Sequence, residues 1–243
     1  MLLKNSTVVH QSFLALDAGS RDTTARFIAK RCFDLVLAIT LFIILSPVML
    51  IIAILIKLDS PGPVLFTQER VGAKRRREGQ QTIWTIEHFT MYKFRSMVQN
   101  ADETVHQAHI KAFAHGSIAV THGTTTSFKL TNDPRITPMG HILRKTSLDE
   151  LPQLLNVIKG EMSLIGPRPV PTYEVAEYRD WYYERFSALP GITGLWQVKG
   201  RSQVSLDDMI GLDIEYTRQR SLRLDLKILL LTIPVVLLGK GAG

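Results

Sequence analysis

The sequence predicts an α+β fold, mainly α, that is attached to a membrane by a re-entrant helix-break-helix hairpin. Residues 35–56 form a block of 22 residues without a charged side chain. Ser46 and Pro47 lie at the middle of this block, and basic residues flank it on both sides. Elsewhere, helical apolar spacing is mixed with short strand-like segments and Gly/Pro turns. We therefore expect a monotopic membrane protein with amphipathic interfacial helices and a small β element.

The composition of the 243-residue chain indicates one sizeable domain and a negatively charged partner. The formal net charge is +7, which suits phosphates, nucleic acid or an anionic lipid surface. The single cysteine, Cys32, excludes an internal disulfide and fits a reducing compartment. The apolar block begins too far from the start of the chain for a signal peptide. We predict a flexible polar arm over residues 1–25, a membrane hairpin over 26–60 and a domain on the cytoplasmic face over 61–243.

The apolar block is long enough to span a membrane, but two features favour a hairpin. As a straight helix it would measure about 33 Å, against a hydrocarbon core of about 30 Å. Pro47 lacks a backbone N–H and crowds the carbonyl of Ile43, so the helix should bend or break, and the Ser46 hydroxyl can satisfy a freed carbonyl. Basic residues on both flanks belong on the cytoplasmic side, and a chain that returns keeps both there. An ordinary kinked transmembrane helix is the alternative interpretation.

A small β element is predicted directly after the hairpin. Residues 64–66 and 82–86 have the composition of short strands around the basic loop KRRREGQQ. The following segment MYKFRSM alternates, which places Met91, Lys93 and Arg95 on one face of a strand.

A polar, variable insertion is predicted over residues 99–128. This segment holds four of the seven histidines among Ser, Thr, Gly and Ala residues. His106 and His109 fit one helix face, but no carboxylate stands beside them at ligand spacing. A solvated segment is therefore favoured over a metal site.

Helices are predicted through the second half of the chain. Ser205 and Asp208 form a capping box that opens one of them. Residues 222–238 are apolar but interrupted by charges and a proline, which suits an interfacial helix or a buried terminal element. Turn residues and apolar spacing place the other helices over 140–145, 149–158, 171–185 and 206–218.

The adjacent carboxylates Asp149 and Glu150 are the first candidates for catalysis, since an aspartate can attack phosphorus as a nucleophile. A structural interpretation competes, because Ser147 and Glu150 have capping-box spacing and acids are favoured in a first helical turn. With Asp149 as the cap instead, Pro152 would lie where its missing N–H costs little. Spacing alone favours the structural interpretation. Either arrangement puts an acid at the positive end of a helix, where phosphate also binds well.

Basic side chains complement this acidic pair. Each is individually more typical of a solvated surface, but together they indicate a phosphate-rich substrate. Two carboxylates facing a diphosphate would need a divalent cation, and Mg²⁺ is the usual choice. The chain has no Walker A or dinucleotide-binding glycine motif. The candidate phosphate ligands are Lys93 and Arg95 on their strand, Arg144 upstream of the acids, and Arg168 in a stiff Gly-Pro-Arg-Pro turn.

Four segments of the sequence carry a family resemblance: KRCFDLVLAITLFIILSPVMLIIAILIKLDSPGPVLFTQERVG, MYKFRSM, DPRITPMGHILRKTSLDELPQLLNVIKGEMSLIGPRP and PGITGLWQVKGR. In this order they resemble the bacterial sugar transferases, the monotopic phosphoglycosyl transferases that start exopolysaccharide, O-antigen or glycan assembly. The resemblance runs from about Lys30 to the end of the chain and leaves out residues 1–25 and about 99–128. Large members of that family carry several N-terminal transmembrane helices, whereas this chain is expected to be the catalytic unit with a short polar arm.

The resemblance implies transfer of a sugar 1-phosphate from a UDP-sugar to undecaprenyl phosphate, with release of UMP. It implies that Asp149 attacks the sugar-linked phosphate, forms a covalent intermediate and ligates Mg²⁺, and that Glu150 assists. The motifs place Lys93 and Arg144 at the family's phosphate contacts and Arg168 at its nucleotide-side contact. They place Ser46 and Pro47 at the family's helix break.

The resemblance also implies a place in the cell, at the cytoplasmic face of the bacterial inner membrane. A non-catalytic scaffold of a polysaccharide assembly at the membrane surface is the rival hypothesis. A nucleic-acid-binding protein is disfavoured, because the basic run 74–77 has no interleaved aromatic residues and the apolar block has no role in it. The sequence does not identify the sugar, although a hexose such as galactose or glucose is favoured, and it leaves a homodimer open.

Overall fold

The structure is a computed structural model that describes residues 16–17, 23–114, 133–199 and 205–237. Its described part is mainly helical with two small sheets, so the predicted α+β class is confirmed. The strands are β1 Leu16–Asp17, β2 Leu65–Glu78, β3 Gln81–Phe94, β4 Ser163–Ile165 and β5 Gly191–Thr193. The α-helices are α1 Thr24–Asp59, α2 Thr104–Ala114, α3 Pro138–Thr146, α4 Gln153–Lys159, α5 Thr172–Val175, α6 Leu195–Lys199, α7 Leu206–Gln219 and α8 Leu222–Leu237. Two 3₁₀ segments cover Leu148–Glu150 and Asp180–Phe186.

Helix α1 contains the whole apolar block. Thr23 caps its start by accepting a hydrogen bond from the Arg26 backbone N–H, and the helix runs for 36 residues through Pro47. The Ser46 hydroxyl donates to the Ile43 carbonyl over 2.8 Å, as expected where a proline removes the usual donor. Among the described residues, α1 alone is long and apolar enough to cross a membrane. One long apolar helix is therefore confirmed, and its return as a hairpin stays a prediction.

Both halves of α1 pack against the rest of the chain. In the first half, Ala38 is fully buried in a cluster with Leu154 and Val157 of α4. In the second half, Ile52 and Ile56 are buried in another cluster, together with Phe94 of β3 and Leu143 of α3. Between these contacts, large apolar side chains lie exposed at Ile43, Ile44, Val48, Leu50 and Ile51. Exposed apolar surface of this extent indicates a membrane or another apolar partner around the middle of α1.

The first sheet has the order β1-β3-β2 and is antiparallel. Strands β2 and β3 pair along their full length, from Leu65 opposite Phe94 to Glu78 opposite Gln81. The basic run 74–77 therefore lies within β2, and the prediction of a loop there is wrong. Its side chains gain cross-strand partners, including an Arg76–Glu87 ion pair, which favour strand over loop.

The second sheet consists of β4 and β5, which are parallel and buried. Glycines let the two segments approach closely at one end of this sheet. A Cβ atom on Gly166 would lie 2.2 Å from the Leu189 carbonyl oxygen, and one on Gly191 would lie 2.0 Å from the Gly166 nitrogen. These contacts leave no space for a side chain at either position, so they fix where the chain leaves β4 and turns towards Arg168.

Part of the predicted solvated insertion is a helix that is largely exposed but packs on the domain along one side. Residues 104–114 form helix α2, in which Ile110 and Phe113 are buried against Trp196 and Met209. The sequence signal was weak because Ile110 and Phe113 are the only large apolar residues of α2 that are buried in this contact. Residues 115–132 lie outside the described part.

All five predicted helices are present in some form, but two of them are not single helices. Helix α3 agrees with the prediction for 140–145, and α7 begins with the predicted capping box of Ser205 and Asp208. The predicted helix 149–158 divides into a 3₁₀ turn and α4, while 171–185 divides into α5 and a second 3₁₀ segment. Helix α8 leaves Leu222, Leu226 and Leu230 exposed along its length, which agrees with the predicted interfacial helix.

Candidate active site

The two candidate carboxylates lie on a 3₁₀ turn between α3 and α4. Ser147 ends α3 in the left-handed conformation, with φ of 57°, and its side chain does not cap the turn that follows. The capping-box interpretation of Ser147 is therefore wrong, and Pro152 directly precedes α4, where its missing N–H costs little. Asp149 and Glu150 are both partly exposed. A tight turn with an unusual backbone angle thus presents both acids at the surface.

Lys93 joins the first sheet to this turn. Its Nζ lies 2.7 Å from Glu150 Oε1, and both side chains are largely shielded, with exposed fractions of 17% and 23%. The last residues of β3 hold Lys93 in position, since its strand neighbour Phe94 is buried beside Leu143. An ion pair in this half-buried setting is stronger than one at an open surface.

Arg144 lies one helical turn before the acids, in the last turn of α3. Burial lowers the pKa of its guanidinium, and the negative charges of Asp149 and then Asp133 oppose this shift. Arg168 also contributes to the field at Arg144. Arg144 therefore places a positive charge close to Asp149.

Arg168 is presented from the Gly-Pro-Arg-Pro turn that follows β4. Its backbone carbonyl accepts a hydrogen bond of 3.0 Å from Arg185, which is buried and ion-paired with Asp213. This buried pair holds the backbone of the turn, so the Arg168 side chain starts from a fixed point. We refer to Lys93, Arg144, Asp149, Glu150 and Arg168 as the charged cluster.

Arg70 is a basic residue beside the charged cluster that was not predicted from the sequence. Its guanidinium donates to the Pro169 carbonyl over 3.3 Å and to Gln68 over 2.6 Å. Burial, and next the positive charge of Arg168, lower its pKa to about 10. A buried cation whose pKa is lowered by a second cation lies where an anion would be favoured. Its position in β2, across the sheet from the KFRSM strand, was the available signal.

A small cleft is lined by three members of the charged cluster, Lys93, Glu150 and Arg168, and by Arg70 and Gly191. Asp149 and Arg144 are not among its lining residues. Two amide side chains, Gln153 and Gln197, also line it. Several guanidinium and ammonium groups around adjacent carboxylates suit a substrate with two or more phosphate charges.

Arg95 does not join the charged cluster. Its side chain is only 5% exposed, and it donates to the carbonyls of Pro61 and Ser60 over 2.8 and 2.6 Å. A third bond, of 3.3 Å, reaches the Ile56 carbonyl in the last turn of α1. A Cβ atom on Gly62, which has φ of 123°, would lie 2.1 Å from this guanidinium. Arg95 therefore closes the C-terminal end of α1 instead of facing the cleft, and the predicted phosphate contact does not fit this position.

A family model described as bacterial sugar transferase matches residues 25–239 of the chain. The chain belongs to the bacterial sugar transferase family. It is similar to the exopolysaccharide production protein ExoY of Sinorhizobium fredii, with 40% identity over 215 residues that cover 88% of both proteins. The family predicted from the motifs is therefore confirmed.

Longer relatives of this bacterial sugar transferase carry names that state an activity. The undecaprenyl-phosphate galactose phosphotransferase of Salmonella typhimurium is 43% identical over 219 residues. The UDP-glucose:undecaprenyl-phosphate glucose-1-phosphate transferase of Escherichia coli is 37% identical over 222 residues. These matches cover 90% and 88% of this chain but only 42% and 41% of the two relatives. The chain thus spans less than half of the length of these relatives.

Helix α2 brings His106 towards the charged cluster of this bacterial sugar transferase. His106 Nδ1 lies 2.6 Å from the Tyr173 hydroxyl of α5. Burial, and next the positive charges of Arg70 and Arg168, lower the pKa of His106 to about 4. Its imidazole is therefore neutral near pH 7. The sequence predicted that His106 lies in a solvated segment, and no role in the site was predicted for it.

The donor set of the charged cluster suits a divalent ion only in the company of substrate. Within the described ranges, no group of three or more His, Cys, Asp or Glu side chains could hold a metal ion by itself. Glu150 is already paired with Lys93. Asp149 with phosphate oxygens is the kind of ligand set that Mg²⁺ uses in phosphate-transferring sites, so the residues fit a substrate-dependent ion.

Proposed function

We propose that this sugar transferase transfers a hexose 1-phosphate from a UDP-hexose to undecaprenyl phosphate, with release of UMP. The relatives named for galactose and glucose transfer to undecaprenyl phosphate support the reaction class and the hexose. The observation that carries the proposal is the charged cluster, in which adjacent carboxylates face cations from three separate parts of the fold. Such an arrangement suits a diphosphate better than a neutral sugar. The product would be the lipid-linked first sugar of an exopolysaccharide repeat unit.

Asp149 is the proposed nucleophile. One of its carboxylate oxygens attacks the phosphorus that bears the sugar, forming an oxygen–phosphorus bond while the bridging bond of the diphosphate breaks. UMP leaves with the bridging oxygen. A phosphate oxygen of undecaprenyl phosphate then attacks the same phosphorus, the bond to Asp149 breaks, and the carboxylate is regenerated. The two displacements leave the enzyme unchanged and produce undecaprenyl diphosphate hexose.

The cations of the cluster stabilise the charge that develops in both steps. Arg144 lies beside Asp149, where it would contact the phosphoryl group under attack. Arg168 and Arg70, which also line the cleft, would hold the UMP phosphate. Lys93 holds Glu150 in place, and Glu150 would assist by orienting the lipid phosphate. When bound, Mg²⁺ would neutralise phosphate charge and lower the repulsion between Asp149 and the diphosphate.

We also propose that α1 is a re-entrant hairpin that bends at Ser46 and Pro47. A straight helix would hold Arg31 and Ile56 about 38 Å apart. Arg31 donates to the Val157 carbonyl over 3.1 Å, whereas Ile56 packs on Phe94. These partners belong to neighbouring elements, because the Asn156 side chain accepts a hydrogen bond from the Tyr92 backbone N–H over 3.1 Å. This proximity supports a bend that brings the two ends of α1 together.

A hairpin of this kind would keep the domain on one face of the membrane. Basic residues precede and follow the apolar block, which supports the cytoplasmic face of the bacterial inner membrane. The charged cluster would then lie at headgroup level, because Leu143 next to Arg144 is buried against the membrane-proximal end of α1. A soluble UDP-hexose and the phosphate of a membrane lipid would both reach Asp149 there.

Release of UMP tests the reaction. Purified enzyme with Mg²⁺ and undecaprenyl phosphate is incubated separately with UDP-galactose, UDP-glucose and their N-acetylated counterparts. We expect UMP with a UDP-hexose, none with Asp149→Asn, and a normal rate with the matched control Asp180→Asn, which changes an exposed acid outside the cluster. Without lipid acceptor, the wild-type protein should gain the mass of one hexose phosphate. A normal rate in Asp149→Asn would instead favour the non-catalytic scaffold.

A further inference from the structure

A cavity of about 530 Å³ lies apart from the catalytic cleft. Its walls are mainly apolar and include Phe27 of α1, Trp84 of β3, Ile165 of β4 and Leu222 of α8. Sites for small-molecule ligands occupy about 300–1,000 Å³ and are lined in the same manner, by apolar and aromatic side chains with a few polar groups. The cavity therefore has the size and lining of a binding site.

The second sheet, which consists of the parallel strands β4 and β5, separates this cavity from the catalytic cleft. Leu189 lines the cavity, whereas Gly191, two residues later, lines the cleft. None of the described residues lines both. An occupant of the cavity would consequently not touch the charged cluster.

The first turns of the two most apolar helices form the rim of the cavity. Arg26, Phe27 and Lys30 come from the start of α1, and Leu222 and Asp225 come from the start of α8. Both helices expose large apolar side chains close to this rim, Ile28 at 54% and Leu226 at 52%. In the proposed membrane attachment, the rim would lie at the level of the lipid headgroups, and lipid could enter from the side.

Basic side chains outnumber acidic ones at the rim. Lys30 Nζ lies 2.8 Å from Asp34 and 3.2 Å from Asp225, so its positive charge is more than balanced. Arg26 and Arg220 add two further positive charges, and the Arg220 guanidinium stacks over Trp84 at 5.3 Å from the ring centre. An apolar interior with a positive rim complements a molecule with a hydrocarbon chain and an anionic head.

We propose that this cavity binds an anionic phospholipid of the bilayer, with an acyl chain inside and the phosphate at Arg26 and Arg220. The inference rests on the proposed membrane attachment, but it does not depend on the transfer reaction. The rival occupant is the start of the chain itself, because Leu16 pairs with Trp84, which lines the cavity. The lipid is favoured because the rim offers positive charge next to the two helices that would contact the membrane.

Photocrosslinking tests the proposal. The full chain is placed in phosphatidylcholine nanodiscs that contain phosphatidylglycerol with a photoreactive acyl chain, and crosslinked peptides are identified by mass spectrometry. We expect labelling of peptides that contain Phe27, Trp84 or Leu222. Ala29→Trp, which fills the cavity from its wall, should reduce this labelling about fivefold or more. The matched control Ala25→Trp, one helical turn earlier at a residue that does not line the cavity, should not.

Three results would overturn the proposal. They are equal labelling in Ala29→Trp and Ala25→Trp, equal labelling by a photoreactive phosphatidylcholine, and labelling that arises only after deletion of residues 1–15. The last result would assign the cavity to the start of the chain. Thermal unfolding of both tryptophan variants confirms that they are folded. UMP release is measured on the same samples, so failure of the transfer reaction and failure of lipid binding are distinguished.

Discussion

Lys93 shows how one residue of the site depends on two distant parts of the chain. It belongs to β3, yet its partner Glu150 stands on the turn after α3, 57 positions later. The pairing means that Lys93 contributes positive charge to the cleft and also fixes one of the two acids. Because both the charge and the position of Lys93 contribute to the site, a neutral side chain at this position should lower activity.

We predict that Lys93→Met lowers kcat by about 100-fold, since removing one preorganised charge typically costs this much in transition-state stabilisation. The methionine retains most of the apolar stem, so the fold of β3 should be kept. UMP release gives the rate. Lys159→Met is the matched control, because Lys159 is exposed and contacts Tyr92 on the neighbouring strand position. Equal losses in both variants would contradict a specific role for Lys93.

Arg95 leads to the opposite expectation. Arg95→Met removes charged hydrogen bonds to the carbonyls of Ser60 and Pro61, and it leaves those groups without this donor at the end of α1. We expect the free energy of unfolding to fall by about 2–4 kcal/mol, with KM for the UDP-sugar nearly unchanged below the melting temperature. Thermal unfolding and steady-state kinetics measure the two effects. A large rise in KM without loss of stability would restore the phosphate contact predicted from the sequence.

Among the elements, α2 carries a histidine whose titration should make the stability of the protein depend on pH. Partial burial, and next the positive charges of Arg70 and Arg168, lower the pKa of its His106 to about 4 in the folded protein. Between the ordinary value near 6.5 and about 4, the unfolded chain takes up a proton that the folded chain does not. The contribution of His106 to stability is therefore complete above about pH 6.5 and is lost as the pH falls towards 4.

We predict that His106→Gln makes stability less dependent on pH across this interval. Glutamine keeps a hydrogen-bonding group towards Tyr173 but does not titrate. Thermal unfolding between pH 7 and pH 4.5 gives the comparison, and His109→Gln on the same helix serves as the control. A wild-type decline that persists in His106→Gln would show that another group is responsible.

For the whole molecule, the decisive question is whether both ends of α1 lie on the same side of the membrane. We predict that cysteines introduced by Ala25→Cys and Leu58→Cys, in a Cys32→Ser background, are both protected from a membrane-impermeant maleimide in intact cells. Both should react once the inner membrane is permeabilised. Leu58 is 78% exposed and Cys32 is an exposed free thiol, so replacing Cys32 is necessary for a clear result. Labelling of one position in intact cells would establish the kinked transmembrane helix instead.

The sequence was sufficient for those features that rest on local patterns. The charge-free block predicted α1, the Ser205–Asp208 spacing predicted the start of α7, and the order of motifs predicted the family. It was insufficient where distant contacts decide. Alternation assigned Lys93 and Arg95 to one face, but Arg95 lies just beyond the end of β3 and turns to the carbonyls around Ser60.

The same limit explains the residues that were missed or misassigned. Arg70 and His106 have no local signature, because only the packing of β2, α2 and the turn after β4 brings them near Arg168. The spacing of Ser147 and Glu150 was correct for a capping box, but the left-handed Ser147 turns the chain before a cap can form. A local rule therefore gave way to the geometry of the turn that presents Asp149.

The ion pair between Lys30 and Asp225 has a consequence for how the protein is made. Lys30 is among the first described residues, and Asp225 follows about 195 residues later. At translation rates of about 5–20 residues per second, α1 leaves the ribosome some 10–40 s before its partner on α8. During this interval Lys30 has only Asp34, one turn away on its own helix, as a partner of this cluster. In the proposed membrane attachment, α1 can therefore reach the bilayer before α8 is available to pair with it.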